Sequence, residues 1–117
     1  MAIRRIVPDF EAPEPSAGTE FYSEVLGLEV DMDMGWVVIY ADPENPTAQI
    51  IVLSEDATAP VAPNASIEVE DVDAAYEAAQ RLGSEIIHPL TDESWGVRRF
   101  FVRDPNGKVL NILSHIK

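Results

Sequence analysis

Cysteine is absent from this chain of 117 residues, which excludes disulfide bonds, thiolate zinc sites and cysteine nucleophiles. Basic residues are scarce: 8 lysines and arginines stand against 21 acidic residues, and the formal net charge is −13. Nucleic-acid binding needs a basic face, so this balance argues against it. An acid excess of this kind more often marks a solvated surface than an acidic functional patch.

Long hydrophobic runs are also missing. No run approaches the roughly 20 apolar residues of a membrane span, and the N-terminal Met-Ala-Ile-Arg-Arg lacks the apolar segment of a secretion signal. We therefore expect a cytoplasmic protein. No Gly-x-Ser-x-Gly motif, phosphate-cradling glycine loop or dinucleotide fingerprint occurs. Hydrophobic residues make up 46% of the chain, which favours one folded domain over residues 1–117 and argues against disorder.

The clearest local signal is a β-hairpin near the C-terminus. Two apolar, β-rich runs at residues 95–103 and 108–113 flank Asp104-Pro105-Asn106-Gly107. Proline fixes φ in such a turn, and Asn-Gly tolerates positive φ. Positive charge is concentrated in the first run, which contains three of the basic residues: Arg98, Arg99 and Arg103.

The two halves of the chain share one order of elements. Each half contains a strand, a helix that ends in Leu-Gly, and then further strands. The pattern predicts module one at about residues 1–56 and module two at about 64–117. Ser16 is the predicted cap of the first helix, and Asp71 or Asp73 that of the second. The single helix of a module covers only one face of its sheet. The other faces of the two sheets would therefore cover one another or leave a cleft in which a small molecule can bind.

Several segments resemble the vicinal oxygen chelate superfamily, which includes glyoxalase I, extradiol dioxygenases and bleomycin-resistance proteins. They occur in the expected order along the chain: Phe21-Tyr22, Leu26-Gly27, Val69-Glu70-Asp71-Val72-Asp73, Trp95-Gly96-Val97-Arg98 and Asp104-Pro105-Asn106-Gly107. The resemblance implies an α+β fold in which two βαβββ modules form a cupped, partly closed mixed β-sheet around a cavity. It also implies a homodimer.

Metal-dependent members of this superfamily resemble one another in placing two histidines and two glutamates on facing strands. Carried over by position, these ligands fall at Val7, Ile51, Asn64 and Asn111. Valine and isoleucine cannot coordinate a metal, and neutral amides bind a divalent cation poorly. We therefore expect no cofactor, and a divalent metal is disfavoured.

Alternation along the hairpin predicts which side chains share a face. The last strand places three residues together: Val109, Asn111 and Leu113. The facing strand offers Arg99 and Phe101 to the same side, with Arg98, Phe100 and Val102 on the other; a bulge would shift this phase and bring Arg98 to the cavity side instead. If the resemblance holds, the Asn111 side looks into the cavity. Arg99 would there suit an anionic or planar ligand; the alternative is that it pairs with one of the many acids.

Other polar and aromatic residues could either bind a ligand or have a structural role. Trp95 could line the mouth of a pocket or pack at a module or dimer contact. Gln49, Asn64 and Asn111 could hydrogen-bond a ligand or a buried water. The two histidines are interpreted as ordinary: His88 at the end of a strand, and His115 in a frayed C-terminal tail.

Three functions remain open from the sequence. The first is a protein of the glyoxalase and bleomycin-resistance type that binds a small molecule without the metal site. The second is an enzyme, a lyase, isomerase or dioxygenase-like member with an atypical metal site or a metal-free one. The third is a protein-interaction module. The charge of the ligand is also open, because the acid excess suits a cation whereas Arg99 suits an anion.

Overall fold

The computed structural model describes residues 2–116, which form eight β-strands, two α-helices and a short 3₁₀ turn at Pro15–Gly18. The helices are α1 (Thr19–Leu26) and α2 (Val72–Leu82). The strands are β1 (Ile3–Glu11), β2 (Glu29–Asp33), β3 (Val37–Asp42), β4 (Asn45–Leu53), β5 (Ala65–Val69), β6 (Ile86–Asp92), β7 (Val97–Arg103) and β8 (Val109–His115).

The elements divide into two compact units. Module one is Val7–Ala62, and module two comprises residues 2–6 and 63–116. Strand β1 passes from one unit to the other, so that residues 2–6 group with module two, whereas the division made from the sequence places them in module one. The backbone N–H of Glu70 donates to the carbonyl of Ala2 at 2.9 Å, which ties this N-terminal segment to its module.

Both modules have the same topology. The strand order is β2-β3-β4-β1 in module one and β6-β7-β8-β5 in module two. In each module the first and last strands along the chain are parallel, and the remaining neighbours are antiparallel. The predicted α+β class and the predicted repeat of a βαβββ module are therefore confirmed.

In module one, the core lies between α1 and one face of the sheet. Its buried residues come from the strands and from the loop before β2: Leu28, Val38, Tyr40 and Val52. Tyr22 of α1 packs against them, with its ring 4.8 Å from that of Tyr40. The aromatic pair therefore holds the helix on the sheet.

The start of α1 differs from the prediction that Ser16 caps it. Residues Pro15–Gly18 form the 3₁₀ turn, and the residue before the helix is Gly18, which has no side chain to offer a cap. The carbonyl of Ser16 instead accepts a 2.8 Å hydrogen bond from the hydroxyl of Thr19. The prediction was wrong because Pro15 favours a tight turn ahead of the helix.

The hydroxyl of Tyr40 connects this turn to the core. Tyr40 is fully buried, and its hydroxyl donates to the carbonyl of Pro15 at 2.8 Å. We expect Tyr40→Phe to lower the free energy of unfolding by about 2 kcal/mol, because the carbonyl loses its buried donor. Urea denaturation measures this change. Tyr22→Phe removes a hydroxyl from the same aromatic pair and is the control, with an expected change of under about 0.5 kcal/mol; equal losses in the two variants would contradict the assignment.

In module two, α2 covers one face of the sheet. It packs on a cluster that includes Val69, Phe100 and Val102. Of the two predicted caps, the structure selects Asp71, whose side chain accepts a 3.1 Å hydrogen bond from the backbone N–H of Ala74. Gly83 ends the helix with φ of 76°. We call the opposite face of this sheet the helix-free face.

Candidate functional site

The pleat of the hairpin decides which side chains lie on the helix-free face. On β7, Phe100 and Val102 pack under α2, so Arg99 and Phe101 lie on the opposite side. On β8, Leu110 and Ile112 pack under α2, and the side chains that alternate with them lie on the helix-free face: Val109, Asn111 and Leu113. The strand phase is the one that alternation predicts.

Four residues are in register across this face. His88 of β6 pairs with Phe101 of β7, which pairs with Asn111 of β8, which pairs with Ser66 of β5. We call these four residues the central row. Phe101, Asn111 and Ser66 are buried, and His88 is partly buried. A buried line of three polar groups and one aromatic ring is unusual on a sheet face, because burying polar groups costs free energy unless they are hydrogen-bonded.

Asn111 has an acceptor that no described residue satisfies. Its side chain is 8% exposed, and its Nδ2 donates to Ser66 Oγ at 3.1 Å. Its Oδ1 is buried and has no hydrogen-bond partner among residues 2–116. Rotating the amide would exchange the two atoms and leave an N–H without an acceptor, so one polar atom of Asn111 is unsatisfied in either orientation.

Arg99 lies next to the central row and is clamped in place. It is 4% exposed, and its Nε donates to Glu93 Oε2 at 2.6 Å. The guanidinium carbon lies 5.0 Å from the Trp95 ring centre and 4.7 Å from the Phe101 ring centre. A carboxylate and two aromatic faces therefore compensate the charge of Arg99 in its buried position.

Glu93 is held by a tight turn between β6 and β7. Its backbone N–H donates to the carbonyl of Val97 at 2.7 Å, and its carbonyl accepts from Gly96 at 3.2 Å. Gly96 has φ of 90°, a conformation that glycine adopts without strain. The turn returns the Glu93 side chain onto Arg99 and places Trp95 over the same guanidinium.

His88 joins this cluster through the carboxylate of Glu93. Its Nε2 lies 3.3 Å from Glu93 Oε2, the oxygen that Arg99 also contacts, and its ring packs edge-on against Phe101 with the centres 5.4 Å apart. Sequence reasoning did not single out Glu93 or Ser66, and it interpreted His88 as an ordinary residue at a strand end. A clue to Glu93 was its position beside an arginine-rich strand.

The neighbouring Arg98 forms ion pairs at the surface, in contrast to the buried ion pair of Arg99. It lies on the α2 side of the strand, with a side chain 37% exposed, and contacts Asp92 at 2.8 Å and Asp73 at 2.9 Å. The hydrogen bond to Asp92, followed by that to Asp73, raises the pKa of Arg98 above its usual value. Of the two adjacent arginines, Arg99 is thus the buried one.

Two of the residues predicted for ligand binding make local contacts. Asn64 joins the ends of two strands: its Oδ1 accepts from the backbone N–H of Val109 at 2.8 Å, and its own N–H donates to the Val109 carbonyl at 2.8 Å. Gln49 is in module one, where its Nε2 donates to the carbonyl of Pro46 at 3.0 Å. The structure therefore brings together Trp95, Arg99, Phe101 and Asn111, and gives Asn64 and Gln49 contacts with the backbone.

The residues at the four carried-over ligand positions do not fit a divalent cation. Val7 and Ile51 have no donor atom, and Asn64 Oδ1 already accepts the N–H of Val109. Asn111 offers one neutral oxygen, which a divalent ion binds weakly without carboxylate or imidazole partners. Within residues 2–116, no group of three His, Cys, Asp or Glu side chains has a geometry suited to a metal.

A second polar cluster on the helix-free face surrounds Glu68. Arg5 Nε lies 2.7 Å from Glu68 Oε1, and His115 Nδ1 lies 2.7 Å from Glu68 Oε2. The interpretation of His115 as part of a frayed tail is wrong, because β8 extends to His115 and this contact pairs its ring. Burial raises the pKa of Glu68, but the hydrogen bond from His115 and the charge of Arg5 outweigh burial, so the pKa lies below its usual value.

This shift predicts a pH-dependent contribution to stability. A carboxyl whose pKa is lower in the folded state stabilises the fold above its unfolded pKa, about 4.3 for glutamate, and loses this effect as the pH falls through the folded pKa. We expect Glu68→Gln to lower the free energy of unfolding by about 1 kcal/mol at pH 7. The difference from the wild type should shrink below about pH 4.3. Urea denaturation across this range measures it.

The control for this prediction is Glu44→Gln, which changes an exposed carboxylate in the turn between β3 and β4. Exposed carboxylates contribute little to stability, so this variant should follow the wild type at every pH. A Glu68→Gln difference that persists unchanged at low pH would show that the ion pairs of Glu68 do not stabilise the fold.

The comparisons with known proteins concern both sequence and fold. Residues 11–112 match the family model described as Glyoxalase/Bleomycin resistance protein/Dioxygenase superfamily. No curated protein sequence matches the chain. Within residues 2–116, neither helix has the length and apolar character needed to cross a membrane.

Similar folds occur among solved structures at low sequence identity. A glyoxalase/bleomycin resistance protein/dioxygenase superfamily member from Vibrio splendidus 12B01 is 18% identical with a TM-score of 0.70, covering 97% of this chain and 99% of its own. An uncharacterized protein from Methanosarcina mazei is 23% identical with a TM-score of 0.68, covering 100% and 96%. Methylmalonyl-CoA epimerase from Mycobacterium tuberculosis is 13% identical with a TM-score of 0.65, covering 98% and 88%. At these identities the likeness concerns the fold alone.

Proposed function

Since the chain belongs to the glyoxalase, bleomycin-resistance protein and dioxygenase superfamily, we propose that it binds a small organic molecule at the central row of module two, without a metal. The observation that carries the proposal is Asn111 Oδ1, a buried acceptor without a hydrogen-bond partner among residues 2–116. An unsatisfied buried acceptor costs about 1–3 kcal/mol, and a ligand that donates a hydrogen bond would recover that cost. In the amide orientation in which Nδ2 donates to Ser66 Oγ, the group that satisfies Oδ1 is an N–H or O–H of the ligand, and we propose a ligand that carries one.

The surroundings of Asn111 restrict the ligand further. Asn111 lies between Phe101, a fully buried aromatic residue, and Ser66, which carries a hydroxyl. The charge of Arg99 is already compensated by Glu93, which removes the main argument for an anionic ligand. The net charge of −13 belongs to the whole chain, and its long-range field disfavours the approach of an anion and favours that of a cation. We propose a neutral or cationic ligand that combines an aromatic or apolar part with a hydrogen-bond donor.

A thermal-shift screen with matched compounds tests this function. Aromatic amines and amides are compared with their N,N-dimethyl counterparts and with carboxylates on the same ring. We expect the N–H compounds to raise the melting temperature and their dimethyl counterparts to have little effect, because only the former can satisfy Asn111 Oδ1. Stabilisation by the carboxylates alone would contradict the ligand class. Equal stabilisation by the N–H and dimethyl compounds would contradict the role of Asn111.

One observation favours an enzyme as the second candidate. His88 Nε2 and Glu93 Oε2 lie 3.3 Å apart beside the central row, and a histidine paired with a carboxylate is suited to accept and return a proton. This candidate predicts that a ligand found in the screen is converted during incubation, and that His88→Gln abolishes conversion while binding persists. NMR spectra of the ligand that stay unchanged over a long incubation would eliminate it.

A further inference from the structure

The charges of the chain are distributed unequally between the modules. Every one of the 8 lysines and arginines, and both histidines, lie outside Val7–Ala62, whereas more than half of the 21 acidic residues lie within it. Module one is therefore almost uniformly negative, and module two has nearly balanced charges. Such a field attracts cationic partners and repels nucleic acids and anionic lipid surfaces.

Module one also exposes apolar side chains on its helix. Phe21 and Val25 are four residues apart on α1, so they lie on the same side of the helix, and each is 60% exposed. Val30 of β2 is 45% exposed and pairs with Tyr40, whose ring packs under α1. Val30 therefore lies on the α1 side of the sheet. We call Phe21, Val25 and Val30 the α1 face.

Helix α1 packs on the core with one side and exposes the other to solvent, as surface helices usually do. Its exposed side, however, contains apolar side chains where a surface helix usually has polar ones. Tyr22 turns towards the core, while α1 contains no fully buried residue. Exposed apolar groups that cluster on one surface mark interaction sites more often than isolated ones do. The α1 face is flanked by three exposed acids: Glu20, Glu24 and Glu29.

We propose that the α1 face docks a cationic, amphipathic segment of another protein. The apolar side chains of such a segment would cover Phe21 and Val25, and its lysines or arginines would pair with the flanking glutamates. A second copy of this chain fits poorly, because a two-fold contact places the same patch on both subunits and would bring two acid-rich surfaces together. The homodimer that the family resemblance implies would therefore use another surface.

A designed peptide tests this docking surface. The probe is an amphipathic helix of leucine and lysine, about 18 residues long so that it can form a helix, with a fluorescent label. The comparison probes are a scrambled peptide of the same composition and a leucine–glutamate peptide with the same pattern. Fluorescence anisotropy measures binding of each probe to the full chain. We expect the patterned leucine–lysine peptide to bind at least about tenfold more tightly than either comparison peptide.

Variants of the α1 face separate specific docking from general charge attraction. The double variant Phe21→Gln/Val25→Gln should weaken binding of the patterned peptide by at least about tenfold, because the apolar contact is lost. Glu20→Gln/Glu24→Gln should weaken binding and reduce its dependence on salt. Both pairs are exposed, so the fold should persist. The control is Leu82→Gln on α2, where Leu82 is 81% exposed; this variant should bind as the wild type does.

Three results would overturn the proposal. Equal binding of the patterned and scrambled peptides would show charge attraction without a docking surface. Unchanged binding by Phe21→Gln/Val25→Gln would place the contact elsewhere. A wild-type dimer in sedimentation that becomes monomeric in the same variant would assign the α1 face to a second copy of the chain. Because α1 is in module one, none of these results depends on ligand binding by Asn111.

Discussion

Glu93→Gln is expected to lower the free energy of unfolding by about 3 kcal/mol, as is usual when one partner of a buried ion pair is removed. The side chains of Arg99 and Glu93 are 4% and 9% exposed, and their contact is 2.6 Å long. Glutamine keeps the size and shape of the side chain, so the loss reports the charge rather than a cavity. Arg99 makes further contacts, which keeps the expected loss near the lower end of the range for buried pairs.

Asp92→Asn is the matched control, because it makes the same chemical change one residue earlier. Asp92 pairs with Arg98 at 2.8 Å, but these side chains are 60% and 37% exposed. Solvent screens such a pair, so the expected loss is about 0–1 kcal/mol. Urea denaturation of the two variants measures the difference. Similar losses in both would contradict the claim that burial distinguishes the Arg99 pair from its neighbour.

Asn111→Leu is expected to have opposite effects on stability and on binding. Leucine has the same branching and number of side-chain heavy atoms as asparagine, removes the unsatisfied Oδ1 and gives up one hydrogen bond to Ser66. The free energy of unfolding without ligand should therefore stay unchanged or rise by about 1 kcal/mol. Affinity for an N–H compound from the screen should fall about 30-fold, which corresponds to about 2 kcal/mol. Urea denaturation and calorimetric titration measure these two quantities.

Asn64→Ala should show the reverse pattern and is the control for this variant. Its Oδ1 is satisfied by the backbone of Val109, so truncation should cost about 1 kcal/mol of stability and leave ligand affinity near the wild-type value. If Asn111→Leu also destabilised the protein and left affinity unchanged, Asn111 would be a structural residue like Asn64. The pair of variants thus distinguishes an asparagine that binds a ligand from one that stabilises the fold through a backbone contact.

Much of the fold follows from local patterns in the sequence. Alternation in the hairpin placed Arg99 and Phe101 on the same face as Asn111, because the pleat of a strand is a local property. The two Leu-Gly dipeptides marked the helix ends, where Gly27 and Gly83 have φ of 70° and 76°. The repeat of these signals was enough to predict two modules of equal topology.

The site was less predictable because it depends on where strands end. Strand β6 continues to Asp92, past Pro89, a residue at which a strand is expected to be interrupted. The longer strand shortens the following turn and returns Glu93 onto Arg99, a contact that no periodicity encodes. The sequence likewise indicates a tail at His115, because its partner, Glu68, is distant in sequence and meets it only through the pairing of β5 with β8.

The charge of the ligand is also difficult to predict from the sequence alone. From sequence, Arg99 is a positive charge on the side of the hairpin that carries Phe101 and apolar residues, and it suits an anion. In the fold, Glu93 and two aromatic rings already surround it, and in the central row the atom without a hydrogen-bond partner among residues 2–116 belongs to the neutral Asn111. The distinction depends on side-chain partners that only tertiary structure supplies.

The central claim is that Asn111 receives a hydrogen bond from a bound small molecule. A crystal structure of the protein with the strongest N–H compound from the thermal-shift screen tests it most directly. The claim predicts a ligand nitrogen about 2.7–3.2 Å from Asn111 Oδ1, with the apolar part of the ligand against Phe101. A ligand bound elsewhere, with Asn111 Oδ1 still lacking a donor, would contradict it.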